Sequence, residues 1–158
     1  MPKASSQVFI SAGASDGAWA RDLSDRLQKT GVDTWVSSRV VLPGANLSRE
    51  VGEALDRADA MVVLVSPDGM KSAWVRREIL FALGEQRFEG RLIPVLIKRT
   101  SSEEIPWTFG ALQWAKGSPA QVARQVTRML RGRGWRKPRV RKARQASVRN
   151  APARAEAG

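Results

Sequence analysis

The chain contains no cysteine, no histidine and no tyrosine. Without cysteine there can be no disulfide framework, no thiolate nucleophile and no sulfur-ligated zinc. Without histidine no triad can use an imidazole base, and the commonest metal ligand is gone. Chemistry is left to Asp, Glu, Ser, Thr, Lys or backbone groups, with no metal expected. Long apolar runs are missing too. No stretch approaches the roughly 20 residues that a membrane helix needs, and Met1-Pro2-Lys3-Ala4-Ser5-Ser6 lacks the features of a secretion signal. The expectation is a cytoplasmic protein with no membrane partner.

The 158 residues, 42% of them hydrophobic, suffice for one domain with a real core. Lys and Arg total 27 against 15 acids, a formal net charge of +12. The excess is uneven. Residues 1–99 hold 14 basic and 12 acidic side chains, whereas residues 135–158 hold 8 and 1. That last stretch, from Trp135 through Arg139, Arg141, Lys142 and Arg144 to Arg154, is rich in Arg, Ala and Pro and poor in aliphatic groups. It cannot bury enough surface to offset its ordering entropy. The sequence thus divides into a folded domain over 1–134 and a disordered basic C-terminal tail over 135–158. Such a tail offers non-specific contact with nucleic acid; a specific nucleic-acid arm is the sharper alternative.

Residues 7–134 alternate short apolar runs with amphipathic segments. Val8-Phe9-Ile10 reads as a first strand, and Asp16 to Thr30 as a helix with Trp19, Ala20, Leu23 and Leu27 at helical spacing. Ser15 or Asp16 is its expected cap, and Gly31 its stop. Thr34-Trp35-Val36 is a second strand, followed by a loop over 37–45 that contains Pro43-Gly44. Asn46 is placed to cap a helix carrying Leu47, Val51, Ala54 and Leu55. Ala60 to Val65 is apolar throughout and β-branched, as a central strand requires, and Ser66-Pro67 ends it. Ala73 to Gln86 reads as a helix. Leu92 to Ile97 is a fourth strand whose Pro94 points to a place near an edge or to a bulge. Ala111-Leu112-Gln113-Trp114 is the expected fifth strand. Ser118-Pro119 opens the last helix as an N-cap with proline at the first position.

Strands alternating with helices, the strands apolar on both faces, imply an α/β fold: a flavodoxin-like five-stranded parallel sheet, order 2-1-3-4-5, with helices on both faces. Ligands of such sheets bind at the carboxyl ends of the strands. Those ends are Ser11 to Ser15, the 37–45 loop, and Ser66 to Ser72.

Gly13-Ala14-Ser15-Asp16-Gly17 matches the pattern of a nucleophile elbow, but no histidine exists to serve as its base. No segment fits a Walker loop or a dinucleotide fingerprint. A phosphoacceptor domain would need an Asp where the third strand ends in Val65-Ser66. One constellation remains: Ser66-Pro67, Ser72, Trp74 and Glu78. Trp74 and Glu78 lie four apart on one helix face, flanking the apolar stripe of Val75, Ile79 and Ala82, with Phe81 and Glu85 continuing it. Glu78 is then expected at the margin between core and cleft. On the residues alone a structural role is the leading reading, since the macrodipole favours an early Glu and a boundary Trp packs.

Eight segments in order resemble a Toll/interleukin-1 receptor (TIR) domain of the bacterial type. They are Val8-Phe9-Ile10-Ser11, Trp19 to Leu23, Gly31 to Trp35, Leu42-Pro43-Gly44, Ala54 to Asp59, Val63 to Pro67, Ser72 to Glu78, and Leu92 to Val95. The resemblance implies cleavage of the nicotinamide–ribose bond of NAD+, as substrate and with no cofactor, by an NAD+ glycohydrolase or ADP-ribosyl cyclase. It implies Glu78 as the catalytic residue, with Trp74, Ser11, Ala12, Gly13, Ser66 and Ser72 lining the substrate site. It makes Leu42, Pro43 and Gly44 the tip of an assembly loop, hence a homo-oligomer, with a separate sensor or effector protein in anti-phage defence. Ala12-Gly13 departs from the family, which usually has an aromatic and then a polar residue there. The alternative function is a non-enzymatic TIR scaffold.

Overall fold

A computed structural model describes residues 6–37 and 47–132. The assembly-loop residues Leu42, Pro43 and Gly44, the Asn46 cap and the tail over 135–158 lie outside the described residues. Four strands form the sheet: β1 (Gln7–Ser11), β2 (Asp33–Val36), β3 (Ala60–Val65) and β4 (Leu92–Leu96). All neighbouring pairs are parallel, in the order β2-β1-β3-β4. Every residue of β3 is fully buried, as its unbroken apolar run requires.

Helices cover both faces. On one side lie α1 (Gly17–Lys29) and α5 (Pro119–Arg131), which bury Ala20, Leu23, Leu27, Val122 and Val126 against Val8, Ile10, Val62 and Leu64. On the other lie α2 (Leu47–Arg57), the short α3 (Pro67–Lys71) and α4 (Ala73–Gly84). There Val51, Leu55, Val75, Ile79 and Ala82 pack on Phe9, Met61, Val63 and Val65. Each Val, Leu, Ile, Phe or Met among them contributes roughly 1.5–3 kcal/mol by leaving water. Gly31 stops α1 at φ +87, a conformation that L side chains rarely adopt. Ser118 caps α5 in a reciprocal box with Gln121, and Pro119 sits in its first turn.

Three expectations need correction. The segment Ala111–Trp114 is not a strand among the described residues. A 3-10 helix over Trp107–Ala111 precedes it, and the sheet gains only one parallel bridge, Val95 to Ala115. Trp114 Nε1 turns back to the Phe109 carbonyl at 2.9 Å, which favours the compact turn over an extended run. Pro94 therefore stands on an outer strand; its carbonyl takes the Ala115 N–H at 3.0 Å, so the missing proline donor faces that sparsely paired edge. Second, α4 ends at Gly84. Glu85 is its extended C-cap and is exposed, so it does not continue the Trp74–Glu78 face. Third, Asp16 closes a 3-10 turn over Ala14–Asp16 and makes no capping bond to α1; its carboxylate is used elsewhere.

Candidate active site

The alternation of β1 decides which of its side chains can reach α4. Val8, Ile10 and Ala12 belong to the core under α1 and α5, while Phe9 belongs to the core under α2 and α4. Ser11 continues the Phe9 face and so presents its hydroxyl on the α4 side. It is fully buried, and its Oγ has no hydrogen-bond partner. Ser37 stands beside it at the end of β2, since Ile10 pairs with Val36 and the Ser37 N–H donates to the Ile10 carbonyl at 2.9 Å. The Ser37 Oγ accepts the Ala12 N–H at 3.1 Å.

Glu78 meets these hydroxyls from α4. The helix is set by two successive caps. Ser66 accepts the Gly69 N–H at 2.9 Å to start α3, and Ser72 accepts the Val75 N–H at 3.3 Å to start α4. From that start Glu78 falls one turn beyond Trp74. It is 2% exposed, so it lies inside the core and not at the margin that its place beside the apolar stripe predicts. Burial pushes its carboxyl up from 4.5 to about 7, and the Ser11 and Ser37 hydroxyls pull weakly the other way. Neither completes a hydrogen bond to Oε2, which is buried without a partner. A buried polar atom left unpaired costs about 1–3 kcal/mol. Two such atoms, Ser11 Oγ and Glu78 Oε2, lie together at the carboxyl end of a parallel sheet, where each has hydrogen-bonding capacity left over.

The other expected site residues divide. Trp74 is half-buried, with the Arg77 guanidinium 5.8 Å from its ring centroid. Ala12 contributes its N–H to Ser37, while its methyl joins the opposite core. Gly13 packs so tightly on Gly69 that a Cβ there would come within 3.0 Å of the Gly69 backbone. The Ser66 and Ser72 hydroxyls are spent as helix caps, and Ser66 also donates to the Asp16 carboxylate. Ser37 is not singled out by the sequence, although it opens the 37–45 loop, one of the strand ends expected to border the site. A groove of about 760 Å³ lies between Arg76, Ile79, Glu103 and Trp107, and neither Ser11 nor Glu78 lines it.

Comparison with known proteins settles the kinship. The family model described as "TIR domain" matches residues 8–136. The chain belongs to the TIR domain family. The stimulator of interferon genes protein of Magallana gigas is 30% identical over 102 residues, covering 63% of this chain and 25% of that protein. Human Toll-like receptor 1 is 25% identical over 109 residues, covering 67% of this chain and 14% of the receptor. This TIR domain thus spans a quarter or less of these relatives. Among solved structures, the TIR domain of a Toll-related receptor from Hydra magnipapillata superposes with a TM-score of 0.64 at 22% identity, over 79% of this chain and 98% of that one. A metazoan TIR-STING receptor from C. gigas, in complex with 2',3'-cGAMP, gives 0.62 at 24% identity, over 77% and 38%. These likenesses show the fold. No helix among the described residues is long and apolar enough to cross a membrane.

Proposed function

We propose that this TIR domain cleaves the N-glycosidic bond between nicotinamide and ribose in NAD+. The observation that carries the reading is the buried, incompletely bonded Glu78 carboxyl beside the unpaired Ser11 hydroxyl. Nicotinamide in NAD+ is cationic and leaves as a neutral ring, taking the C1′–N bond electrons with it. No general acid is required, so one carboxylate does what ordinary glycosidases divide between two. Ionised Glu78 accepts hydrogen bonds from the ribose hydroxyls and offsets the positive charge that develops at C1′. Ser11 supports the same diol, and Trp74 walls the site. Water capturing the ribosyl cation, with loss of a proton, gives ADP-ribose; capture by the adenine ring gives a cyclic product.

On this reading the protein serves antiviral defence signalling as a homo-oligomer, assembled through the loop at Leu42-Pro43-Gly44, with a separate sensor or effector protein. Ala12 favours a second reading, a TIR scaffold without turnover, because no ring stands there to stack on a base. Incubation with NAD+ at high protein concentration and with a crowding agent separates the two. Release of nicotinamide is expected; none, from protein shown to be assembled, gives the scaffold.

A further inference from the structure

We propose that the groove between α4 and the loop after β4 is a two-fold interface between two copies of this chain, with Trp107 of each copy seated against α4 of the other. This goes beyond the function proposed above and needs none of the chemistry at Glu78. Trp107 opens the 3-10 helix that follows the loop and is 90% exposed. A large aromatic left this far in water forgoes the burial that its size offers, and Trp is the residue type that most often anchors interfaces. It does not stand alone. Ile79 and Ile105 line the groove beside it. On α4, Leu80 and Leu83 share a helix face with Arg76, another lining residue, and are 69% and 41% exposed. An apolar patch rimmed by charges marks a contact surface.

Charge selects the occupant. Lys71 and Arg76 stand on the α3–α4 wall, Glu103 and Glu104 on the loop wall. Lys71 and Glu104 pair at 3.5 Å, whereas Arg76 and Glu103 enter no ion pair among the described residues. Each wall thus keeps one charge that its own groove does not neutralise. A polycation such as residues 135–158, or a polyanion, would meet one wall of like charge. A second copy turned about the long axis of the groove meets neither. In a two-fold contact residue i faces j and j faces i, so Arg76 of each copy meets Glu103 of the other. Knob and recess lie side by side on the same patch, and the same rotation seats both indoles.

Sedimentation equilibrium on the full chain, with a thermal melt of each variant, tests the contact. Trp107→Ala is expected to weaken self-association about 10- to 100-fold and leave Tm unchanged, because the exposed indole supports little of the fold. Arg76→Glu and Glu103→Arg are each expected to weaken it too, since each sets like charges face to face twice. An equimolar mixture of these two variants is expected to regain association, every opposed pair being again of opposite sign. Arg76→Glu also loses the bond from Arg76 Nε to the Met70 carbonyl; where it melts early, Trp107→Ala and Glu103→Arg decide. Self-association unaffected by Trp107→Ala, or a folded mixture that associates no better than its components, overturns the two-fold contact. A wild type that stays monomeric until residues 135–158 are deleted gives the groove to that segment and overturns it as well.

Discussion

Replacing Glu78 with Gln should abolish activity and, at the same time, stabilise the fold. The side chain is 2% exposed, and burial raises its carboxyl from 4.5 to about 7. Above pH 7 the folded protein must hold a carboxylate where it prefers the acid, while the unfolded chain does not. A difference of that size opposes folding by roughly 3 kcal/mol. Below pH 4.5 the group is neutral in both states and the penalty disappears. Wild-type stability should therefore carry a component that declines as pH rises from about 4.5 to 7, and the neutral amide should remove it. In a domain of this size each kcal/mol moves Tm by roughly 3–5 °C. The glutamine amide must itself be buried, with the Ser11 and Ser37 oxygens as its acceptors, which offsets part of the gain. The expected result is a Tm several degrees above wild type at pH 8, converging with it near pH 5.

Catalysis should move the opposite way. Loss of one electrostatic group facing a developing charge typically costs on the order of 10²–10³ in rate. Wild-type nicotinamide release should rise with pH through about 7 as Glu78 ionises, and Glu78→Gln should be flat and near background. Glu85→Gln is the matched control, since Glu85 is exposed and past the end of α4. Thermal melts across pH and a nicotinamide assay on each variant suffice. If Glu78→Gln melts at or below the wild-type temperature at pH 8 and still releases nicotinamide at the wild-type rate, Glu78 is neither a strained nor a catalytic carboxylate.

Three further outcomes are expected. Asp16→Asn keeps the shape but loses the ion pair with Lys98 and weakens the bond from Ser66. It should cost about 1–3 kcal/mol in a urea melt, and an unchanged midpoint refutes the role given to that carboxylate. Deleting residues 135–158 should remove binding to unrelated DNA sequences, binding that falls steeply with salt, and leave NAD+ cleavage intact; a sequence preference surviving physiological salt contradicts this. Substituting Pro43 or Gly44 should lower self-association and cleavage in parallel, by sedimentation and nicotinamide release. Full turnover by a monomer at nanomolar concentration would dismiss any need for assembly.

How far the residues could be read depended on whether each signal was local. Ser118-Pro119 announces α5 because a cap and its first turn are a matter of a few adjacent residues. Ser66-Pro67 carries the same signal and opens α3, yet next to the apolar run of β3 it reads as a strand's end. Ala111–Trp114 fails for another reason. Four residues, three of them apolar, suit a short strand or a turn equally, and Trp114 bonding back to Phe109 makes the choice. Glu85 falls on the Trp74–Glu78 face only if helical spacing continues past Gly84, where the backbone is extended. The burial of Glu78 could not be read at all. Its spacing placed it beside the apolar stripe, but whether a flank is wet or dry depends on what β1 and β2 bring against it. Ser37 shows the same limit, since its neighbour Ser11 is 26 residues earlier and reaches it only through the β1–β2 register.

Two carboxylates are buried near the carboxyl ends of this sheet, and their partners distinguish them. Asp16 is held by a hydroxyl and a cation, although its Oδ1, like Glu78 Oε2, completes no hydrogen bond. One oxygen takes the Ser66 hydroxyl and the other lies 3.2 Å from the Lys98 ammonium. Ser66 in turn holds the Gly69 N–H, and Gly13 is pressed against the same glycine. Asp16 therefore joins the end of β1 to the corner from which α3 and α4 start, and a ligand could reach it only by dismantling that corner. Glu78 faces hydroxyls alone: Ser11 and Ser37 act on its carboxyl, Oε2 completes no hydrogen bond, and no cation among the described residues sets its ionisation. The fold tolerates an energetic penalty at Glu78 that a second lysine or an apolar side chain would have removed. A penalty of that kind persists where function needs the group unspent. The rigid corner at Asp16 fixes the start of the helix, and the helix delivers the unspent carboxyl to Ser11. Both acids are buried and their partners differ: Asp16 faces the Lys98 ammonium, whereas Glu78 faces only the Ser11 and Ser37 hydroxyls, and the catalytic role proposed for Glu78 rests on that difference.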